Sequence, residues 1–316
     1  MNENNLHTIA FYNLENLFDT LNDPHILDDD FTEDGRLNWT EERYENKIHK
    51  LAMAISKIGK EGNEAPPVVI GLAEVENKKV LNDLVNAGPL VKYAYNFAHF
   101  NSPDERGIDT ALLYRKEYFE FIDAEPIPLL VYNEGHIRDR TRDILYVIGK
   151  LNNETVHIFV NHWPSRRQGA EETSYKRITA ANRVTARIDQ IKKEEENPRL
   201  IIMGDFNDDP NSPSIKEHLL QPDLYNPMET LLIPLERGSL THKANWNLFD
   251  QIMISTNFFD VSNSNLEFLK ADILDIHFLE EWNEKYKGFP FRTYVGKKYL
   301  GGYSDHFPVY ILLKEK

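Results

Sequence analysis

The residues best suited to chemistry in this chain stand at the ends of short apolar runs. The clearest run is Arg199-Leu200-Ile201-Ile202-Met203-Gly204-Asp205-Phe206-Asn207, where an aliphatic stretch ends on Asp205 with Asn207 two positions later. Residues two apart in extended backbone project to the same side, so a carboxylate and a carboxamide would share one strand edge. That pairing suits activation of a water molecule and contact with phosphate better than it suits packing. The competing reading is an Asx-type turn, because Asp208-Asp209-Pro210 is good turn chemistry.

Four more segments have the same form. Phe11-Tyr12-Asn13-Leu14-Glu15-Asn16 places Asn13 at a strand end with Glu15 on the same side. Ile70-Gly71-Leu72-Ala73-Glu74-Val75 ends on a glutamate. Val160-Asn161-His162-Trp163-Pro164-Ser165-Arg166 ends on an imidazole followed by an arginine. Ser304-Asp305-His306-Phe307-Pro308-Val309 precedes the final apolar run. Singly, each has an ordinary explanation: a solvated strand end at Asn13 and Glu15, or a core histidine at His162. Glu74 could be the first-turn acid of a following helix, favourable with its dipole. Asp305 could cap a turn beside an exposed His306. Five such ends on separate strands argue for one shared site.

Those ends need a scaffold, and the pattern supplies alternating strands and helices. Strands are expected at residues 7–13, 68–73, 93–100, 108–115 and 119–131. Residues 144–151 and 155–161, split by Asn152-Asn153-Glu154, read as a hairpin. Later strands are expected before Gly204, at 249–255 and at 307–313. From Thr40, residues Tyr44, Ile48, Leu51, Ala52, Ile55 and Ile58 fall at helical spacing, with Thr40 as cap, Glu41 and Glu42 in the first turn and Gly59 as terminator. Further helices are expected at 78–85 and 172–193, the latter with Tyr175, Ile178, Ala181, Val184, Ile188 and Ile191 on one face. Residues 22–38 and 257–298 read as cleft-shaping segments. Hairpins alternating with long helices favour two mixed sheets with helices outside, in one domain spanning 1–316.

The 316 residues, 41% of them hydrophobic, are enough for a large core. There is no apolar run of roughly eighteen residues, so no membrane span is expected. Met1 to Asn5 is polar and lacks a basic stretch followed by an apolar one, so no secretory signal is read and a cytoplasmic location is expected; a monomer is expected separately. Zero cysteines exclude disulfides and thiolate metal sites. The 51 acidic against 36 basic residues give a net charge of −15, which argues against tight, processive duplex binding. It permits a hydrolase that neutralises one phosphate locally.

These segments, in this order, resemble the endonuclease/exonuclease/phosphatase superfamily of metal-dependent phosphoesterases, over residues 9–310. Gly204-Asp205-Phe206-Asn207 and Ser304-Asp305-His306 carry most of the likeness. The resemblance implies an α/β, four-layer αββα sandwich with two packed mixed β-sheets and a site at one edge of both. It implies that Asn13 and Glu74 are divalent-metal ligands, with Asp305 assisting. Hard oxygen donors suit Mg²⁺ or Mn²⁺. It further implies that Asp205 orients or deprotonates the attacking water and that Asn207 holds water or a phosphoryl oxygen. His162 and His306 resemble donors to phosphoryl oxygens, and Asp250 resembles the carboxylate that hydrogen-bonds His306.

Glu15 stands where exonuclease-type members carry an aspartate, and its longer side chain could still reach the metal. Gly107-Ile108-Asp109-Thr110-Ala111 resembles a stretch whose aspartate faces the site; pairing of Asp109 with an arginine is the alternative. Arg166 is the first choice for substrate phosphate, since a guanidinium makes bidentate contacts. Lys176, Arg177 and Arg183 read mainly as the solvated face of the next helix.

The expected function is a phosphodiesterase or nuclease acting on nucleic acid or nucleotides by metal-assisted in-line attack of water. A phosphatase or phosphodiesterase on a phosphoinositide, a sphingolipid or a small phosphorylated metabolite is the alternative. A non-catalytic binding protein of the same fold is a second. Asp205→Asn and His306→Ala are each expected to abolish turnover, with the circular dichroism spectrum unchanged. Retained hydrolysis in either variant removes that residue from the chemistry.

Overall fold

Twelve strands form two six-stranded mixed sheets in the computed structural model, which describes residues 5–60, 65–133, 135–242, 245–260, 262 and 264–316. In chain order they are β1 (Leu6–Leu17), β2 (Val69–Val75), β3 (Tyr95–His99), β4 (Asp109–Arg115), β5 (Phe119–Ile127) and β6 (Ile144–Leu151). The others are β7 (Glu154–His162), β8 (Arg199–Asp205), β9 (Leu224–Tyr225), β10 (Asp250–Ser255), β11 (Leu266–Ile273) and β12 (Val309–Glu315). One sheet has the order β11-β12-β1-β2-β4-β3 and the other β9-β10-β8-β7-β6-β5. Only β1 with β2 and β7 with β8 run parallel within them.

Side-chain alternation explains the layering. In β8, Ile201 and Met203 join the core between the sheets, while Leu200 and Ile202 join a second core under the long helix. Gly71 lies beside Phe11 and meets Met203 of the opposite sheet. A Cβ added at Gly71 would stand 2.5 Å from the Met203 sulfur, so this close approach of sheets requires glycine. The helices lie on the outer faces: α1 (Glu41–Ile55) and α2 (Lys78–Val85) beside the first sheet, and α3 (Ser174–Glu194) against the second. The result is a four-layer αββα sandwich.

Helix starts follow the chain's own chemistry. The Thr40 side chain accepts from the Arg43 N–H, and Asn77 accepts from Lys79 and Val80, satisfying first-turn donors. Tyr44, Ile48, Leu51, Ala52 and Ile55 are buried along α1, as their spacing predicts. In α3 the buried stripe is Arg177, Ala180, Ala181, Val184, Ile188 and Ile191, preceded by Lys176. Tyr175 is exposed and Ile178 half-buried, which corrects the expected face.

Two further expectations change. The run expected at 119–131 breaks at Ile127, and Val131–Tyr132 forms a separate small hairpin with Arg138–Asp139. Residues 257–298 do not only shape a cleft, because β11 within them is an edge strand of the first sheet. Residues 261 and 263 of that segment lie outside the described residues, as do 1–4.

Gly204 precedes Asp205 where β8 lies against β7. A Cβ there would fall 2.4 Å from the Asn161 carbonyl oxygen, which strand pairing holds in place. Gly204→Ala is therefore expected to destabilise the fold by about 1–3 kcal/mol, an overpacking cost. The measurement is a lower urea midpoint at unchanged slope; an unchanged midpoint would show that the strands can part.

Candidate active site

The same alternation that builds the inter-sheet core carries its last layer into polar chemistry. Met203, Val160, Ile252 and Phe11 face the opposite sheet, and the residues two further along in the direction of the edge are Asp205, His162, Asp250 and Asn13. Pairing sets three of them in one row, because Asp205 is in register with His162 on β7 and with Asp250 on β10. Across the gap, the Asn13 Nδ2 donates to Asp205 Oδ2 at 3.0 Å. All four are buried.

Asp205 uses its other oxygen in a turn: Oδ1 accepts the Asn207 N–H at 2.9 Å, with Asn207 at φ 49°. The Asx turn and the polar site are thus one structure. Asn207 does not continue the strand; its Nδ2 donates to the Trp163 carbonyl at 2.9 Å. Burial, and next the Asp250 charge, push the Asp205 carboxyl up to about 6, with His306, the Asn207 amide and Asn13 opposing.

Glu74 belongs to β2 and not to the following helix, which starts at Lys78 under the Asn77 cap. Its backbone takes φ 63°, uncommon for a non-glycine residue and worth noting at a candidate site. Its Oε2 accepts the Asn16 N–H at 2.8 Å, and its Oε1 lies 3.8 Å from His162 Nε2. His162 Nε2 is also 3.8 Å from Asp205 Oδ2, and its buried Nδ1 has no partner among the described residues. Burial lowers the His162 pKa well below its ordinary value, and Arg142, Arg106, His306 and Arg167 add to the effect. This imidazole is neutral.

His306 is the opposite case. Its Nδ1 donates to Asp250 Oδ2 at 2.6 Å, and the same oxygen accepts the Ser239 hydroxyl at 2.5 Å. Burial alone would lower the His306 pKa, but the Asp250, Asp305 and Asp205 carboxylates raise it well above the ordinary value. Ser304 holds the loop: its hydroxyl donates to the Asn13 carbonyl at 2.7 Å and accepts the His306 N–H at 3.1 Å.

Asp205, Asp250 and His306 offer buried ligand atoms within 4.8 Å of one another, and with the fold they suggest a divalent-metal site. The donor chemistry assigns different tasks within it. A protonated His306 bonded to Asp250 has no lone pair to offer, whereas Glu74 Oε1 accepts no hydrogen bond among the described residues. Asp305 stands partly exposed, 3.5 Å from Arg292 and 3.9 Å from His306 Nε2. Asn13, Glu74 and Asp305 offer oxygen donors of the kind a hard cation takes.

Other candidates lie elsewhere. Glu15 adopts φ 52°, so the two-residue alternation from Asn13 fails; its carboxylate instead accepts the Thr293 and Tyr294 N–H groups at 2.6 and 3.3 Å. Buried Lys47 lies 3.8 Å from it and donates to the Tyr303 carbonyl. Asp109 faces neither the site nor an arginine; it stands 3.2 Å from His99 and accepts the Ser102 N–H. Arg166 donates to Asp208 Oδ1 at 2.6 Å and to the Asn207 carbonyl at 2.7 Å, stacked on Phe249. Arg177 and Lys176 are buried rather than solvated, Arg177 on Asp208 at 2.8 Å, and Arg183 remains exposed. Sequence reading missed Ser239, whose only signal is its distant pairing: its carbonyl accepts the Phe307 N–H. It also missed Arg142, which donates to the Trp163 carbonyl at 2.8 Å.

The model of the Endonuclease/Exonuclease/phosphatase family matches residues 8–315. The chain belongs to this family. Membership supports a hydrolase acting on phosphoester bonds. D. rerio TDP2, solved in complex with a single-strand DNA product, is similar in fold, with a TM-score of 0.59 and 16% identity over 98% of this chain and 99% of that one. A family protein from Bacteroides thetaiotaomicron gives a TM-score of 0.61 and 16% identity over 98% and 95%. The mannosyl-6-phosphatase of the same species gives 0.59 and 16% over 97% and 99%. At these identities the likeness is of fold. No curated protein matches the sequence. No helix among the described residues is long and apolar enough to cross a membrane.

In this family member the His306–Asp250 pair has a pH signature. His306 is raised above the unfolded value of 6.5, so its contribution to stability is fully present below pH 6.5 and is lost as pH rises through the folded pKa. Histidine NMR of the metal-free protein is expected to show one imidazole still protonated well above pH 6.5. In Asp250→Asn that titration should move to lower pH, since burial remains and the largest attraction is gone, leaving only Asp305 and Asp205 to oppose it. An unmoved titration would separate the two residues.

Proposed function

We propose that this protein is a Mg²⁺- or Mn²⁺-dependent phosphodiesterase acting on nucleic acid or nucleotides. The observation that supports the reading is the Asn13–Asp205 hydrogen bond, which ties the two sheets where Glu74, His162 and the Asp250–His306 pair come together. Asn13, Glu74 and Asp305 would hold the cation. Such an ion supplies Lewis-acid charge at a phosphoryl oxygen.

The remaining steps belong to this chain's own groups. Asp205, with its carboxyl near 6, is ionised at neutral pH yet basic enough to take a proton from the attacking water. Asn207, anchored through Nδ2 on the Trp163 carbonyl, has its side-chain Oδ1 left to orient that water. Neutral His162 donates to a phosphoryl oxygen. Cationic His306 donates as negative charge builds on the phosphoryl and leaving oxygens, and Asp250 keeps it protonated.

A monoester phosphatase is the second reading, favoured by the likeness to a mannosyl-6-phosphatase and by the net charge of −15. A non-catalytic binding protein is disfavoured because every acid and imidazole position is filled. Hydrolysis of bis(p-nitrophenyl) phosphate and p-nitrophenyl phosphate, with Mg²⁺, Mn²⁺ or EDTA, decides among the three. The diester is expected to be turned over at least about tenfold faster, and EDTA to abolish both activities. Monoester preference supports the phosphatase. The absence of turnover with either metal would leave only the binding protein.

A further inference from the structure

We propose that a basic cleft beside the candidate active site is a subsite for a second phosphate of the substrate, one group away from the ester that is cleaved. This rests on the phosphoesterase reading. The cleft has a volume of about 240 Å³ and is lined by Arg106, Arg140, Arg142, Arg167 and Lys176. It is small against ligand pockets of roughly 300–1,000 Å³, so it suits one anionic group and not a whole ligand.

Acids also line it, and the bland alternative is an ordinary surface ion-pair network. Counting partners decides between them. Asp104 Oδ2 takes Arg142 at 3.1 Å and its Oδ1 lies 3.6 Å from Arg106, while Asp139 takes Lys176 at 2.5 Å. Exposed Glu105 pairs with no cation among the described residues, and neither Arg140 nor Arg167 has a carboxylate partner there. Positive charge is therefore in surplus, in a chain whose overall charge is strongly negative. Arg142 lines the cleft while buried to 5% exposure, and its Nε has no acceptor. Guanidinium groups left without acids are well matched to phosphate oxygens.

The cleft is also joined to the reaction centre. Pro164, Ser165 and Arg167 line it directly after His162-Trp163. The Trp163 carbonyl accepts from Arg142 Nη2 at 2.8 Å and from Asn207 Nδ2 at 2.9 Å, so the cleft wall and the water-orienting turn share one acceptor. Its positive charge reaches His162, whose pKa Arg142, Arg106 and Arg167 depress. A phosphate seated there would be adjacent to the one being attacked. An oligonucleotide backbone and a bisphosphorylated small molecule both present that chemistry.

The test pairs substrates that differ by one phosphate: TpT against TpTpT, and glucose 1-phosphate against glucose 1,6-bisphosphate. In at least one pair, the substrate with the extra phosphate is expected to have a kcat/KM at least about tenfold higher, and that arm names the source. Arg140→Gln combined with Arg167→Gln, both at exposed side chains, should erase the advantage. The same double variant should hydrolyse bis(p-nitrophenyl) phosphate, which has no second phosphate, within about threefold of wild type. Equal kcat/KM within both pairs, or an advantage that survives the double variant, overturns the subsite while leaving the phosphoesterase reading intact. If no substrate is turned over, that reading fails instead. Calorimetric binding of inorganic pyrophosphate then tests the cleft: loss of binding in the double variant supports it, and equal or absent binding in both proteins rejects it.

Discussion

Everything at the candidate site depends on how two twisted sheets end together. Apolar side chains alternate inward along β1, β7, β8 and β10 until the sheets reach their common edge, and the next inward positions are Asn13, His162, Asp205 and Asp250. Strand pairing, not loop conformation, sets their spacing. Catalytic groups held on rigid elements keep their geometry better than groups held on loops. The hydrogen bond between Asn13 and Asp205 ties β1 directly to β8 across the gap, so it aligns the two sheets as well as two side chains. Positive φ at Glu15, Glu74 and Asn207 marks where each strand leaves regular geometry just past that layer. Local backbone strain at such places is a recurring property of functional sites.

The electrostatics follow from the same burial. Two neighbouring imidazoles are driven in opposite directions: His162 loses its proton to burial and nearby guanidiniums, while His306 keeps one because carboxylates outweigh burial. Separation of this kind sets a neutral imidazole beside a charged one. Asp205 lies between, raised by burial and Asp250 but restrained by His306 and Asn13. Among the described residues, Asp250 Oδ1 is left without a partner in the interior. An unmatched buried oxygen is costly, and such groups point to roles other than packing.

Much of this was legible from residue types alone. Aliphatic runs ending in acid, amide or imidazole located β1, β2, β7 and β8, and helical spacing placed α1 closely. The layered architecture followed from hairpins mixed with long helices. What remained hidden was of two kinds. Arg177 and Lys176 read as solvated because charge on a helix usually is, yet Asp208 and Asp139 bring them inside. Ser239 carries no signal near Asp250 in the sequence, and only the folded chain brings the two together. Glu15 shows the limit of the period-two rule: left-handed backbone at Glu15 and Asn16 turns its carboxylate to Thr293 and Tyr294.

The pairing of β1 with β12 joins Leu6 to Lys314. During synthesis, a growing chain would therefore display Asn13 and Glu74 long before His306 leaves the ribosome. Strand β1 must wait beside an open edge until β12 has emerged. Completion of that sheet and arrival of the last site residue are one event, so a partly made molecule has no assembled reaction centre with which to act.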